Sequence, residues 1–352
     1  MAMIERGANG AQSPAVSVPL PDLLRSHDVT AGYLEEAIFT TNDAGAIAGL
    51  IAETARRQMG VPVAGGLFYA ASAGCVFGLE LADGQRVVLK AYQSHWEPPF
   101  LRAVQRVQRA VAQTGFPCPT PVAPPFAVGR GWATVESLLP DPGPGSRLDE
   151  SFLEQSAAGL VHLIRSAGGL AHEDLDLHPY RRAEDDLYPT PHNPIFDLRG
   201  TTKGAAWIDE WADRSWSRRA SDALPSVIAY LDWSARNVRL TRAGIVAVYD
   251  WDSIGVASEA TAAGQAAATW RSTGETLNVP SPDAGEVDRF ILAFAQARGV
   301  PFSALEMAVA RAAAVWVMTY AARCEHALEE RTPWRRTRAR EWLRTQAGLL
   351  ME

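Results

Sequence analysis

The chain's 352 residues, 47% of them hydrophobic, suffice for two cores or one large two-lobed unit. A formal charge of -7 offers no general attraction to phosphate backbones or anionic lipid, which sets aside nucleic acid and membranes as partners and points to a neutral or cationic small molecule. The cysteines, Cys75, Cys118 and Cys324, are odd in number, far apart and free of CxxC spacing, so buried thiols of a reducing compartment are expected rather than a disulfide framework or a zinc cage.

Residues 1–20 mix Ser, Pro, Ala and Gly without periodicity and read as a loose arm. They carry no apolar core of signal-peptide length. The most apolar helix-like run, Ala312 to Ala322, falls short of the ~20 residues of a membrane span, so a soluble cytoplasmic protein is expected. "NDAGAIAGLIAETARRQMG" predicts an amphipathic helix with Asn42 or Asp43 as its N-cap, Arg56 and Arg57 in its last turns and Gly60 as its stop. From Leu67 to Tyr92 the pattern changes to strands, "LFYAAS" and then "CVFGLELADGQRVVLKAY", where Ala82-Asp83-Gly84-Gln85 is a turn; three antiparallel strands follow. "PFLRAVQRVQRAVAQTG" is helical, and the proline-rich "FPCPTPVAPPFAV" carries the chain to a further strand in "GWATVESLLP". These elements make a small α+β lobe over 21–138. The remainder, 139–352, is larger and mostly helical, with helices in "SFLEQSAAGLVHLIRSAG", "AAWIDEWADRSW" and "SALEMAVARAAAVWVMTYAARCEHALEE". Residues 172–222 are otherwise irregular, and long irregular segments in compact proteins are more often functional than accidental.

"YLDWSARN" and, after a short apolar stretch, "YDWD" carry the chemistry. The region reads as strand end, loop, strand, tight turn with Gly244, strand and acidic terminus. A hairpin of that size returns Asp250 to the loop that holds Asp232 and Asn237, so three oxygen-bearing side chains converge. Mg2+ takes oxygen ligands, commonly one or two carboxylates plus substrate phosphates. Asn237 and Asp250 suit that role, and Asp232 is left to orient an attacking hydroxyl. Alone, Asp232 is an ordinary turn or capping residue; its joint occurrence with Asn237, Asp250 and an upstream strand lysine, Lys90, favours function.

These residues resemble the aminoglycoside phosphotransferases and choline kinases, relatives of the protein kinases, in which an H-x-D-x-x-x-x-N loop precedes a strand and a metal-binding Asp. "DWSARN", "VYDWDS" and "LYPTPHNPIFD" are most similar to the bacterial, actinobacterial-type branch, and the resemblance runs over roughly residues 60 to 330. It implies a bilobal α+β, protein-kinase-like fold, with a small N-lobe of antiparallel sheet plus helix, a larger mostly α-helical C-lobe, and NTP and Mg2+ between them. It also implies that Asp232 is the catalytic base, that Asn237 and Asp250 hold Mg2+, and that Lys90 meets the nucleotide phosphates. "GLFYAASAGCVFG" would cover those phosphates, and Glu136, Ser137 and Leu138 would meet the adenine through backbone groups. Two departures stand out. Tyr230 occupies the family's histidine position, and the helix after Lys90 lacks the usual glutamate, leaving Gln105, Gln108 or Glu97 as candidate partners of the lysine.

The implied reaction is transfer of the γ-phosphate of ATP or GTP to a hydroxyl of a small molecule, an antibiotic such as an aminoglycoside in the first place, conferring resistance. A metabolic sugar or amino-alcohol kinase shares every motif. A catalytically silent nucleotide-binding module would account for the two departures, and a hydrolase using Asp232 and Asp250 would leave Lys90 and Asn237 without a role. Other features read more plainly. Asp252 is a salt-bridging or loop-orienting residue before it is a metal ligand; His162 belongs to a core, and His172, His178 and His192 to the surface. Trp207, Trp211 and Trp216 are core residues before they line a sugar pocket, and "RTPWRRTRAREWLR" is a solvated basic helix face rather than a nucleic-acid site.

Overall fold

The computed structural model describes residues 17–27, 32–140, 149–183, 185–219, 224–242, 244–273, 280–329 and 338–352. The chain divides into two compact units, the first comprising Met1–Pro144, Glu173–Pro179 and His192–Pro194, the second Gly145–His172, Tyr180–Pro191 and Ile195–Glu352. Of the arm expected over residues 1–20, residues 1–16 lie outside the described residues. Val18 exchanges backbone hydrogen bonds with Gly66 at 2.8 and 3.0 Å, and Leu20 opens a helix.

The first unit runs α1 (Leu20–Ser26), α2 (Tyr33–Phe39), α3 (Ala44–Met59), β1 (Val63–Ala71), β2 (Cys75–Leu81), β3 (Arg86–Tyr92), α4 (Pro98–Gln113), β4 (Pro121–Val128) and β5 (Gly131–Ser137). Asp43 caps α3 by accepting from the Ala46 N–H at 2.7 Å, and Gly60 closes it with φ 74°, a conformation glycine adopts without a Cβ clash. The strands form one antiparallel sheet in the order β1-β2-β3-β5-β4. β4 corrects the reading of the proline-rich segment as a connection. Its burial alternates, with Pro121, Ala123, Phe126 and Val128 inside, and as an edge strand it tolerates Pro124 and Pro125, which have no N–H to give a further neighbour. Both edge pairings, β1 with β2 and β4 with β5, carry register irregularities.

The alternation of a strand decides what each face of this sheet does. Phe77 and Leu79 of β2, Val87, Leu89 and Ala91 of β3, and Ala133 and Val135 of β5 form one hydrophobic core with Leu24, Leu34, Ile38, Ile47 and Ile51 of α1, α2 and α3. The intervening residues of β3 and β5, Val88, Lys90, Thr134 and Glu136, therefore share the opposite face. All four are buried.

The second unit contains α5 (Glu150–Ser166), α6 (Ala206–Arg219), β6 (Ser226–Tyr230), β7 (Val238–Thr241), β8 (Gly244–Val248), β9 (Ile254–Ser258), α7 (Glu259–Thr269), α8 (Ala284–Arg298), α9 (Ala304–Ala327) and α10 (Arg338–Met351). Capping boxes open α8, at Asp283 with Glu286, and α9, at Ser303 with Glu306. α9 packs against α6, α7 and α10. With 24 residues and a mean hydropathy of 1.2 it has the length and composition of a membrane span, and half of that window is buried within the fold. Gly264 permits close approach of α7 to α9: a Cβ there would lie 1.9 Å from the Ala310 carbonyl oxygen.

Candidate active site

Two short ladders bring the acidic loops together in the second unit. β6 pairs with β9, ending at Tyr230 opposite Ile254, and β7 pairs with β8, beginning at Val238 opposite Val248. Residues 231–237 and 249–253 are the two connections left between those ladders, so they run side by side. Backbone bonds join them directly: the Tyr249 N–H donates to Asn237 O at 2.9 Å and the Leu231 N–H to Ser253 O at 2.9 Å. The loop of Asp232 is also held from outside, with the Ala235 N–H on Trp270 O (3.0 Å), the Arg236 N–H on Ser272 O (2.7 Å) and the Trp233 indole N–H 3.0 Å from both oxygens of Ser156.

Tyr230 occupies the centre of this arrangement. Its ring is fully buried, edge-on to Trp233 at 5.5 Å and to Trp251 at 6.4 Å. Its hydroxyl lies 2.5 Å from Tyr249 O and 2.9 Å from Asp250 O, so one proton is shared between two carbonyls of the opposite loop. Asp250 itself has φ 61° and ψ 50°, the left-handed region that a residue with a Cβ occupies only when its surroundings hold it there. The tyrosine at the histidine position is thus a clamp on the backbone of Asp250, a role that composition and spacing do not reveal.

The Asn237 amide donates to Asp232 twice, to the backbone oxygen and to Oδ2, both at 3.0 Å. Both acceptors lack hydrogens, so the amide orientation is forced and Oδ1 is turned away from Asp232. Burial raises the Asp232 carboxyl above its ordinary value; the Arg236 guanidinium opposes this, the negative charge of Asp250 adds to it, and the Asn237 amide lowers it. A carboxylate so raised is a better proton acceptor than a solvated one. Among the described residues no group of three His, Cys, Asp or Glu could hold a metal. An amide oxygen at Asn237 and a carboxylate at Asp250 are oxygen donors of the kind that could hold a hard cation completing its shell with water and phosphate.

In the first unit, Lys90 Nζ lies 3.5 Å from Oε1 of Glu136. The expected helix partners are engaged elsewhere: Gln105 Nε2 donates to Ala123 O at 2.9 Å, and Gln108 Nε2 donates at 2.9 Å both to Pro119 O and to Oε2 of Glu136. Glu97 is the N-cap residue of α4. The N–H groups of Ser137 and Leu138 are committed to Thr120 O (2.9 Å) and Arg86 O (3.1 Å), so any base contact from these two residues runs through their carbonyl oxygens. The turn between β1 and β2 is pinned from two sides, Asn193 Nδ2 on Ser72 O (3.1 Å) and Gln93 Nε2 on Ala73 O (3.3 Å). Gly74 belongs to it because a Cβ there would sit 2.5 Å from Ala91 O.

Several secondary readings change. His162, expected in a core, is exposed on α5, between the buried Val161 and Leu163. His178 is half-buried, edge-on to Phe100 at 5.1 Å, and burial pushes its imidazole down to about 4. The buried stripe of α6 is Ile208, Ala212 and Ser215. The tryptophans flank that stripe, half-buried beneath guanidinium groups: Arg344 over Trp207 at 4.6 Å, Arg214 over Trp211 at 4.5 Å, and Arg182 and Arg219 over Trp216 at 4.4 and 4.6 Å. In the basic C-terminal stretch, residues 330–337 lie outside the described residues. Within α10, Arg340 is paired with Glu329 at 2.7 Å and Trp342 is buried.

The model of the APH phosphotransferase enzyme family matches residues 76–308. No curated protein matches the chain. Among solved structures, an amicoumacin kinase in complex with AMP-PNP, Ca2+ and Ami is 11% identical with a TM-score of 0.58, over 79% of this chain and 85% of that one. An aminoglycoside phosphotransferase from Alicyclobacillus acidocaldarius is 14% identical (TM-score 0.45, 80% of this chain, 87% of that one). A spectinomycin phosphotransferase in complex with ADP and its antibiotic is 11% identical (TM-score 0.48, 86% and 93%). The antiparallel-sheet unit and the helical unit together are the α+β, kinase-like fold of the first of these.

Proposed function

The chain belongs to the APH phosphotransferase enzyme family, and from that premise we propose that it moves the γ-phosphoryl group of ATP or GTP onto a hydroxyl of a hydroxylated antibiotic. The observation that carries this reading is the Asp232, Asn237 and Asp250 cluster, in which one amide both orients the carboxylate and turns its own oxygen outward. Asp232 accepts the hydroxyl proton as the new O–P bond forms and the bond between the γ-phosphorus and the bridging oxygen breaks, releasing the nucleoside diphosphate. Asn237 and Asp250 are the residues that would hold Mg2+, whose contribution when bound is to neutralise charge on the phosphate oxygens. Lys90 offsets phosphate charge, and the backbone at Glu136, Ser137 and Leu138 edges the base. The use of a nucleoside triphosphate and three buried free thiols fit a cytoplasmic setting.

The test is a mass-spectrometric screen for an added phosphate over hydroxylated antibiotics, sugars and amino alcohols, with ATP and GTP supplied separately. Transfer to an antibiotic that disappears in Asp232→Asn and on chelation of divalent metal, but persists in a surface control such as Arg57→Gln, is the expected result. Transfer only to a sugar or amino alcohol would move the assignment to metabolism. Nucleotide binding with no turnover on any acceptor would overturn the proposal.

A further inference from the structure

We infer that Glu136 is the positioning residue for Lys90, a strand carboxylate standing in for the one that the following helix lacks, with Gln108 of α4 as its tether. The inference rests on the phosphotransferase reading for the identity of what Lys90 meets.

The strand register makes the pairing. Lys90 stands opposite Thr134, and Val88 stands opposite Glu136, so Lys90 and Glu136 are diagonal neighbours on the same face of the sheet. Both are buried, at 5% and 7% exposure, where an ionised group is tolerated only with a partner and full hydrogen bonding. Glu136 has each oxygen engaged, Oε1 in the ion pair with Lys90 at 3.5 Å and Oε2 by a hydrogen bond from Gln108 at 2.9 Å. Both Gln108 donor contacts, Pro119 O and Glu136 Oε2, are pure acceptors, which fixes the amide the right way round. Burial first, and the Glu136 charge second, push the nearby Cys118 thiol up to about 12.

The source of the carboxylate changes how the site behaves. A helix glutamate reaches a strand lysine only when the helix is docked, so helix position gates the pair. Two hydrogen-bonded neighbouring strands cannot shift by one residue without turning every side chain to the other face. Glu136 therefore keeps Lys90 set before nucleotide arrives, with the Gln108 amide of α4 as its tether.

A double-mutant cycle on the full chain tests this, with binding of a non-hydrolysable ATP analogue and Mg2+ read by calorimetry and thermal unfolding recorded alongside. Glu136→Gln is expected to weaken nucleotide binding by about 10-fold or more, the loss typical of a charged hydrogen-bonding partner. In the Lys90→Met background the same change is expected to weaken it no further. Equal binding by Glu136→Gln and wild type would overturn the inference while leaving the phosphotransferase reading intact. So would an equal loss in both backgrounds, since Glu136 would then act through the fold and not through the lysine. A wild type that binds no nucleotide would take down the reading and the inference together. Should Glu136→Gln not fold, Glu136→Asp keeps the charge and shortens its reach. Weaker nucleotide binding by that variant supports the inference, and wild-type binding overturns it.

Discussion

Replacing Tyr230 by Phe removes one oxygen from the centre of the second unit and leaves the buried ring between Trp233 and Trp251 in place. The hydroxyl proton is shared between Tyr249 O and Asp250 O, so the substitution deletes one donor, not two. Asp250 O still accepts from the Ser253 N–H at 3.1 Å, which softens the loss on that side. Deleting a buried hydrogen bond of this kind costs about 1–2 kcal/mol, toward the lower part of the range for leaving a buried acceptor underserved. For a unit of this size that corresponds to an unfolding midpoint lower by roughly 2–8 °C. The functional effect should exceed the stability effect. Asp250 holds a left-handed backbone at φ 61° that costs on the order of 1–3 kcal/mol and that the shared proton helps to enforce. With the clamp gone, the backbone has a route to relax and the carboxylate moves with it. Magnesium titration of nucleotide binding in Tyr230→Phe should show an apparent metal affinity weakened by about 10-fold, beside the modest shift in thermal midpoint. An unchanged metal response at a lowered midpoint would show that the backbone at Asp250 holds itself. Unchanged values of both would refute the clamp altogether.

Two other outcomes follow from the same geometry. Asp232→Asn should lose roughly 10²- to 10⁴-fold in rate yet unfold at a higher temperature than wild type near neutral pH. The sign comes from the raised carboxyl: a group whose folded value lies above its unfolded value contributes stability fully below the unfolded value and loses it as pH rises through the folded one. The advantage of the amide should therefore shrink as the pH is lowered toward the ordinary carboxylate range; a constant or reversed difference across pH, followed by thermal denaturation, would contradict burial as the dominant cause. Gly74→Ala places a methyl 2.5 Å from Ala91 O and must displace backbone, so it should raise the KM for nucleotide and destabilise the first unit by about 1–3 kcal/mol. A variant with wild-type nucleotide kinetics would remove the β1–β2 turn from the nucleotide's surroundings.

What could be read from the chain and what could not divide along a physical line. The juxtaposition of Asp232, Asn237 and Asp250 was legible because a short hairpin is a local object, its geometry set by strand length and one tight turn at Gly244. The caps of α3 were legible for the same reason. α1 and α2, seven residues each, are too short to express a helical period, and their buried leucines and isoleucine find partners further along the chain, in α3 and the sheet. β4 was hidden by Pro121, Pro124 and Pro125, which argue against a strand until the strand is known to be at an edge. The carboxylate partner of Lys90 was sought in the helix and loop that follow it. It comes from a residue 46 positions on, and only the register of β3 against β5 makes them neighbours. His178 and the tryptophans of α6 were misplaced because half-burial beneath an aromatic edge or a guanidinium leaves no trace in hydrophobic spacing.

The prolines of β4 have an outcome beyond their own strand. An open sheet border with a continuous row of N–H and C=O groups recruits strands from other molecules, and that is how many β-containing proteins begin to aggregate. Here one border strand contains three prolines, at least one of which leaves a gap among its outward donors, and the other is irregular and already touched by Val18, so neither offers a stranger's strand an unbroken ladder to zip onto. Both borders of the five-stranded sheet thus carry features that discourage edge-to-edge pairing with a second molecule.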